Sequence, residues 1–153
     1  MKNKKVHTAY ITLTVARPKD FKIVPSGAFT RCKVSLREKT GRVEPGPDGV
    51  HKIHDSKLGP VVFKVKISPK GAYSPAGIAF EHRKARGAKK LKPGHLGANF
   101  PSEKVSVRGG ILTFVDECKP STAGHSFEYY VLIQRRDGAL GIIDPGIQHD
   151  PPN

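Results

Sequence analysis

SFEYYVLIQ, residues 126–134, followed by Arg135-Arg136, Asp137-Gly138 and then ALGII, residues 139–143, is the stretch on which the reading of the fold turns. Phe127, Tyr129, Val131 and Ile133 fall on one parity, and Glu128, Tyr130, Leu132 and Gln134 on the other. Side chains that alternate with a period of two lie on opposite faces of an extended strand. One face here is wholly apolar and the other mixed, which predicts a strand buried on much of both sides. Asp137-Gly138 favours a two-residue hairpin turn, so this strand and ALGII are expected to pair antiparallel.

Working outward, the same alternation recurs. Ile11, Leu13 and Val15 share one parity within residues 6–16, with Thr12 and Thr14 on the other; β-branched side chains of this kind suit a pleated surface. In residues 28–37, Cys32, Val34 and Leu36 oppose Arg31, Lys33 and Ser35, which directs Cys32 inward. VVFKVKI, residues 61–67, sets Val61, Phe63, Val65 and Ile67 against Lys64 and Lys66. Further strands are predicted at residues 76–81, 105–107 and 111–118, the last two separated by Gly109-Gly110, and a short one at Phe21–Val24.

Gly and Pro, 16 and 13 of the 153 residues, cut the chain into pieces too short for long helices. Residues 38–60 are rich in Gly, Pro and charge and predict a long mobile loop with a short hairpin at Asp48-Gly49. Residues 82–99 begin with a basic run whose Gly87, Pro93 and Gly94 favour a loop over a helix. Pro145, Pro151 and Pro152 are expected to stop any ladder and leave an extended tail at 144–153. Together these segments predict a single all-β domain over 1–153, an antiparallel two-sheet sandwich, with an immunoglobulin-like Greek key favoured over a barrel.

The formal charge is +14, from 27 Lys and Arg against 13 Asp and Glu, and such a field attracts polyanions. No stretch approaches the roughly 18 consecutive apolar residues of a membrane span, so a soluble protein without membrane contact is expected. The N-terminal residues read as a strand rather than a secretion signal, because Thr12 and Thr14 interrupt the apolar run. Cys32 and Cys118 are too few for a disulfide scaffold and predict reduced, buried thiols in a cytoplasmic protein.

Arg83, Lys84, Arg86, Lys89, Lys90 and Lys92 form the candidate anion-binding segment, six cations without an acid. The run lacks aromatic residues; Phe100, Tyr129 and Tyr130 are the candidates for a stacking platform. His51, His54 and Asp55 carry metal-ligand chemistry but no further partner at a recognisable spacing, so no metal site or cofactor is assigned. No nucleophile elbow, HExxH helix, P-loop or dinucleotide fingerprint is present, and no catalytic residue is assigned. Asp116 and Glu117, as neighbours on a strand, point to opposite faces and read as a strand-end charge pair.

The tail from Gly141 to Pro152, with Asp144-Pro145 at its centre, resembles the C-terminal Asp-Pro signature of the small, uncharacterised bacterial proteins called the DP-EP family. Asp150-Pro151 stands where the family name suggests Glu-Pro. The resemblance implies a bacterial origin and a compact β domain, and no established activity. The functional expectation is a non-enzymatic interaction or structural domain, capable of forming a homo-oligomer; the alternative is nucleic-acid or polyanion binding through residues 83–92.

Overall fold

Wherever apolar residues recur at every second position, the chain is extended. The computed structural model describes residues 7–46, 49–54, 59–83 and 91–149, without the side chains of Pro25 and Pro93. Among them run eleven strands: β1 His7–Thr14, β2 Lys33–Arg37, β3 Val43–Pro45, β4 Val50–Ile53, β5 Val61–Ser68, β6 Tyr73–Arg83, β7 Ser106–Arg108, β8 Ile111–Asp116, β9 Ser126–Arg135, β10 Leu140–Ile143 and β11 Gly146–His149. One short helix, α1, covers Pro93–Asn99.

The strands form two sheets, and neither closes into a barrel. The first has the order β2-β1-β5-β8-β7. In the second, β6 lies along one side of β9, and β10 and β11 follow one another along its other side, with β4 and then β3 beyond β11. The all-β sandwich is as the alternation predicts, but its pairing is not purely antiparallel: β1 runs parallel to β5 and β11 parallel to β4. Parallel neighbours need a long connection, and between β1 and β5 that connection holds β2, β3 and β4.

The inward parities meet as expected. Ile11, Leu13, Val61, Phe63, Val65, Leu112 and Phe114 of the first sheet are buried against Phe127, Tyr129, Val131, Ile133 and Ile147 of the second. Phe63 stacks on Phe114 at 4.9 Å, and Phe114 meets the Tyr129 ring at 5.1 Å across the sandwich. Each such aromatic contributes about 1.5–3 kcal/mol by burial, so this row accounts for much of what holds the sheets together.

Five expectations are corrected. Phe21–Val24 is not a strand; Phe21 is buried, stacks on Tyr73 at 5.5 Å and leads into a 3₁₀ turn at Val24–Ser26. Residues 38–60 are not one long loop, because β3 and β4 pair as an antiparallel hairpin with Val43, His51 and Ile53 buried; Asp48 lies outside the described residues. Pro93 opens α1 at its first turn, where a missing N–H leaves no bond unmade, so residues 82–99 hold a helix. The turn before β10 has three residues rather than two: Arg135 pairs with Ala139, Gly138 N–H donates to Arg135 O at 2.8 Å, and Gly138 takes φ +95°.

The fifth concerns the tail. Pro145 removes one amide from the ladder, yet its carbonyl still accepts from Tyr129 N–H at 3.0 Å. The register continues unbroken from Ile143↔Val131 to Gly146↔Glu128, so residues 146–149 are an interior strand of the sheet. Gly109-Gly110, by contrast, is the tight turn its sequence suggests, with both residues at positive φ and Arg108 opposite Ile111.

Candidate functional site

The outward parity of the first sheet carries charge of one sign. Lys33, Ser35 and Arg37 of β2, Tyr10, Thr12 and Thr14 of β1, Lys64 and Lys66 of β5, and Arg108 of β7 all face away from the core. The register sets Arg37, Tyr10 and Lys64 side by side, and Ser35, Thr12 and Lys66 in the next row. No Asp or Glu lies on the outward parity of these five strands. Tyr10 is 44% exposed, and the Arg37 guanidinium rests 5.0 Å from its centroid. A groove of about 530 Å³ runs over Tyr10, Arg37, Lys64 and Lys66.

Beside that groove lies a larger cleft, at one end of the sandwich. The cleft, about 740 Å³, shares Thr12, Lys66 and Ile111 with the groove and is bounded by the β5–β6, β7–β8 and β9–β10 turns. Lys70, Arg135 and Arg136 join Lys66 in lining it, and no carboxylate does. Arg135 is engaged by Asp137 at 2.9 and 2.7 Å and lies over the Phe21 ring. Lys66, Lys70 and Arg136 have no ion-pair partner among the described residues. The volume is that of an ordinary small-ligand pocket.

The acids lie elsewhere. On the outward parity of the second sheet, Tyr130 Oη sits 2.6 Å from an oxygen of Glu81 and 2.6 Å from one of Glu128, and Phe29 stacks over its ring at 5.9 Å. Asp144 follows opposite Tyr130; partial burial, with Glu128 nearby, raises its carboxyl above the usual range. Carboxylates thus gather on this outer face, interspersed with Arg83 and Lys52, whereas the outward parity of the first sheet holds none.

Of the residues in the expected anion-binding segment, Arg83 ends β6 and approaches Glu128 at 3.9 Å, and Lys92 is exposed at the start of α1. Lys84, Arg86, Lys89 and Lys90 lie outside the described residues. None of the three expected stacking aromatics is on the basic face. Phe100 is buried against Phe80 at 4.4 Å, Tyr129 is in the core, and Tyr130 is on the acidic side. Tyr10 is the ring that sequence reasoning passed over, although the outward parity of β1, β2 and β5 already reads Tyr, Thr, Lys and Arg without an acid.

A second polar cluster is sealed inside. His149 Nε2 meets Asp116 Oδ2 at 2.5 Å, both side chains fully buried, and His149 Nδ1–H donates to Thr122 O at 3.1 Å. Asp116 Oδ1 accepts from Asn99 Nδ2 at 2.8 Å and from Cys118 N–H at 2.9 Å. Asn99 Oδ1 in turn accepts from Lys119 N–H at 2.9 Å. Cys118 takes φ +52°, and burial, with Asp116 beside it, pushes its thiol well up. Donor atoms of Asp116, Cys118 and His149 lie within 4.8 Å of one another, a set whose chemistry suits zinc or copper. The Nε2–Oδ2 contact occupies the space such an ion would need, and the buried Arg42 guanidinium stands 3.6 Å from Cys118 Sγ. Both imidazole nitrogens being engaged, neither is left to activate the thiol. The cluster works as a clasp that fastens β11 and α1 to the end of β8.

The other predicted chemical residues separate. His51 points inward, where its Nε2 accepts from Tyr129 Oη–H at 2.6 Å; burial pushes the imidazole down to about 4 and the phenol up. His54 reaches Glu44 at 2.7 Å, and Asp55 is outside the described residues. Asp116 turns into the core while Glu117 pairs with Lys104 at the surface. Cys32 and Cys118 are free; Cys32 is half-buried against the core, and desolvation pushes its thiol up to about 12. Among the described residues no helix is long and apolar enough to cross a membrane. The chain matches no protein-family model, and no curated protein is significantly similar to it.

Proposed function

We propose that the protein is a non-enzymatic binding domain for single-stranded nucleic acid, which it holds across the outward face of the β2-β1-β5-β8-β7 sheet. The observation that carries this reading is the set of Lys33, Arg37, Lys64, Lys66 and Arg108 on the same outer surface as the exposed Tyr10, on strands whose outward parity holds no Asp or Glu. Cations spaced along a sheet neutralise successive phosphates and release their counterions. An exposed ring among them offers a base a surface to stack on, which a paired duplex base cannot use. Cations on strands whose outward parity holds no acid draw a polyanion to this side as it approaches. Arg83 and Lys92, the described cations of segment 83–92, contribute charge from outside this face.

The test is a titration of fluorescent single-stranded and duplex oligonucleotides over a series of salt concentrations. Single strands bind more tightly than duplex, and log K falls linearly with log salt at about 0.7 per neutralised phosphate. Replacing Lys64, Lys66 and Arg108 together by Gln lowers that slope by about 2. Absence of binding, or a slope untouched by these changes yet abolished by neutralising Lys89, Lys90 and Lys92, overturns the assignment to this face.

A further inference from the structure

We infer that the cleft at the end of the sandwich is a site for the terminal phosphomonoester of the bound strand, so that the protein holds an end of the nucleic acid rather than its middle. This rests on the reading of the sheet face as a nucleic-acid surface, and adds to it a recognition element with its own residues. Three observations lead to it.

The first is continuity. Thr12, Lys66 and Ile111 line both the groove over Tyr10 and the cleft, so the two depressions adjoin along one row of the sheet and a strand that crosses this row reaches from one to the other. The second is that the cleft is bounded by turns. The β5–β6 connection, the Gly109-Gly110 turn and the β9–β10 turn surround it, and Arg136 N–H donates to Ala72 O at 3.0 Å, which ties two of those turns together. Turns tied together in this way form a fixed rim, suited to receiving a chain end.

The third is charge. Lys66, Lys70 and Arg136 line the cleft without a carboxylate partner among the described residues, beside the hydroxyl-bearing Ser68 and Ser74. Along the sheet face cations are spaced by strand geometry, roughly 4.8 Å from strand to strand and 7 Å along each strand, a pattern fitting successive diesters of charge −1. Three cations gathered around one cavity suit a group of higher charge. A phosphomonoester carries about −1.5 to −2 near neutral pH and has three strong acceptor oxygens. Arg136 supplies a planar fork for two of these, and Lys66 and Lys70 supply point charges.

The experiment compares three internally labelled 12-mers of one sequence, carrying a 5′-phosphate, a 3′-phosphate or hydroxyls at both ends, by fluorescence anisotropy at fixed salt with the full chain. One of the two phosphorylated oligomers binds at least about tenfold more tightly than the hydroxyl form, and which one gives the polarity of the strand. Lys70→Gln with Arg136→Gln brings that oligomer to parity with the hydroxyl form, while Arg37→Gln with Lys64→Gln weakens all three together. Equal binding of all three oligomers to the unaltered protein overturns the end-site inference and leaves the sheet-face reading standing. Failure of all three to bind removes both. Inorganic phosphate that competes with every oligomer equally shows screening only and also counts against the inference.

Discussion

His149 Nε2 and Asp116 Oδ2 meet at 2.5 Å where no solvent reaches, and this contact joins the end of β8 in one sheet to β11 in the other. Because Nδ1–H of the same ring is committed to Thr122 O, the contact depends on a single proton held between nitrogen and carboxylate. Removing either partner strands a buried polar group. Asp116→Ala is expected to cost about 3–5 kcal/mol, read as a lowered urea midpoint at an unchanged slope. A double-mutant cycle with His149→Ala should show strong coupling, since each single change already forfeits the contact.

His51 gives the protein an acid-sensitive core. Burial holds its imidazole at about 4, below the ordinary value of 6.5, so the folded protein keeps it neutral while the unfolded chain takes up a proton. The associated stability is present above pH 6.5 and is lost as the pH falls from 6.5 toward 4, by about 3 kcal/mol. His125, also held down by partial burial and by its neighbours His82, His149 and His95, shifts stability in the same direction. His51→Gln retains an acceptor for Tyr129 and removes the titration. Its urea midpoint should fall less between pH 7.5 and 4.5 than that of the unaltered protein.

Tyr10 separates binding from folding. Nearly half exposed, it contributes little to the core, so Tyr10→Ala is expected to leave the thermal midpoint within about a degree or two while weakening single-stranded oligonucleotide binding by about 1–3 kcal/mol. Tyr10→Phe keeps the ring and should keep the affinity. Equal losses for Ala and Phe would point to the hydroxyl instead.

Gly141 marks where the segment after β1 packs back on the second sheet. A Cβ there would lie 2.8 Å from Phe21 Cε2, 2.8 Å from Thr30 Oγ1 and 2.9 Å from Lys22 O. Thr30 N–H donates to Ile142 O at 2.8 Å, so the segment covers the otherwise open side of β10 and cannot simply move away. Gly141→Ala is expected to destabilise by about 1–3 kcal/mol through overpacking, measurable in the same urea titration.

Much of this architecture was legible in the alternation. β1, β5, β8 and β9 follow the parities of their apolar residues, and the turns at Gly109-Gly110 and near Asp137-Gly138 separate the strands they were expected to separate. Pro145 misled because a proline in a ladder removes only its own amide; the carbonyl pairs as before, and the register across it is unchanged. The parallel pairs β1–β5 and β4–β11 depend on contacts between segments far apart in sequence, which periodicity does not encode. The same holds for the clasp. Asp116 and His149 read as a strand-end acid and a tail histidine until two sheets bring them together. The basic face was half visible, since Lys64 and Lys66 alternate plainly with the core. Tyr10 was not, because a tyrosine beside Ile11 is read most easily as part of the same apolar run.

The interior place of β11 sets an order of assembly. β4 lies parallel to β11 and β9 pairs with it from the other side, so the middle of the larger sheet is empty until residues 146–149 arrive. As the chain emerges from the ribosome, the β3–β4 hairpin lacks its other partner strand until β11 has been made, and its inward His51 and Ile53 have only part of their packing. Contacts this distant in sequence make folding slow. Until residues 146–149 are added the sheet therefore stays open between β4 and β9, with unpaired strand edges of the kind that associate with other chains.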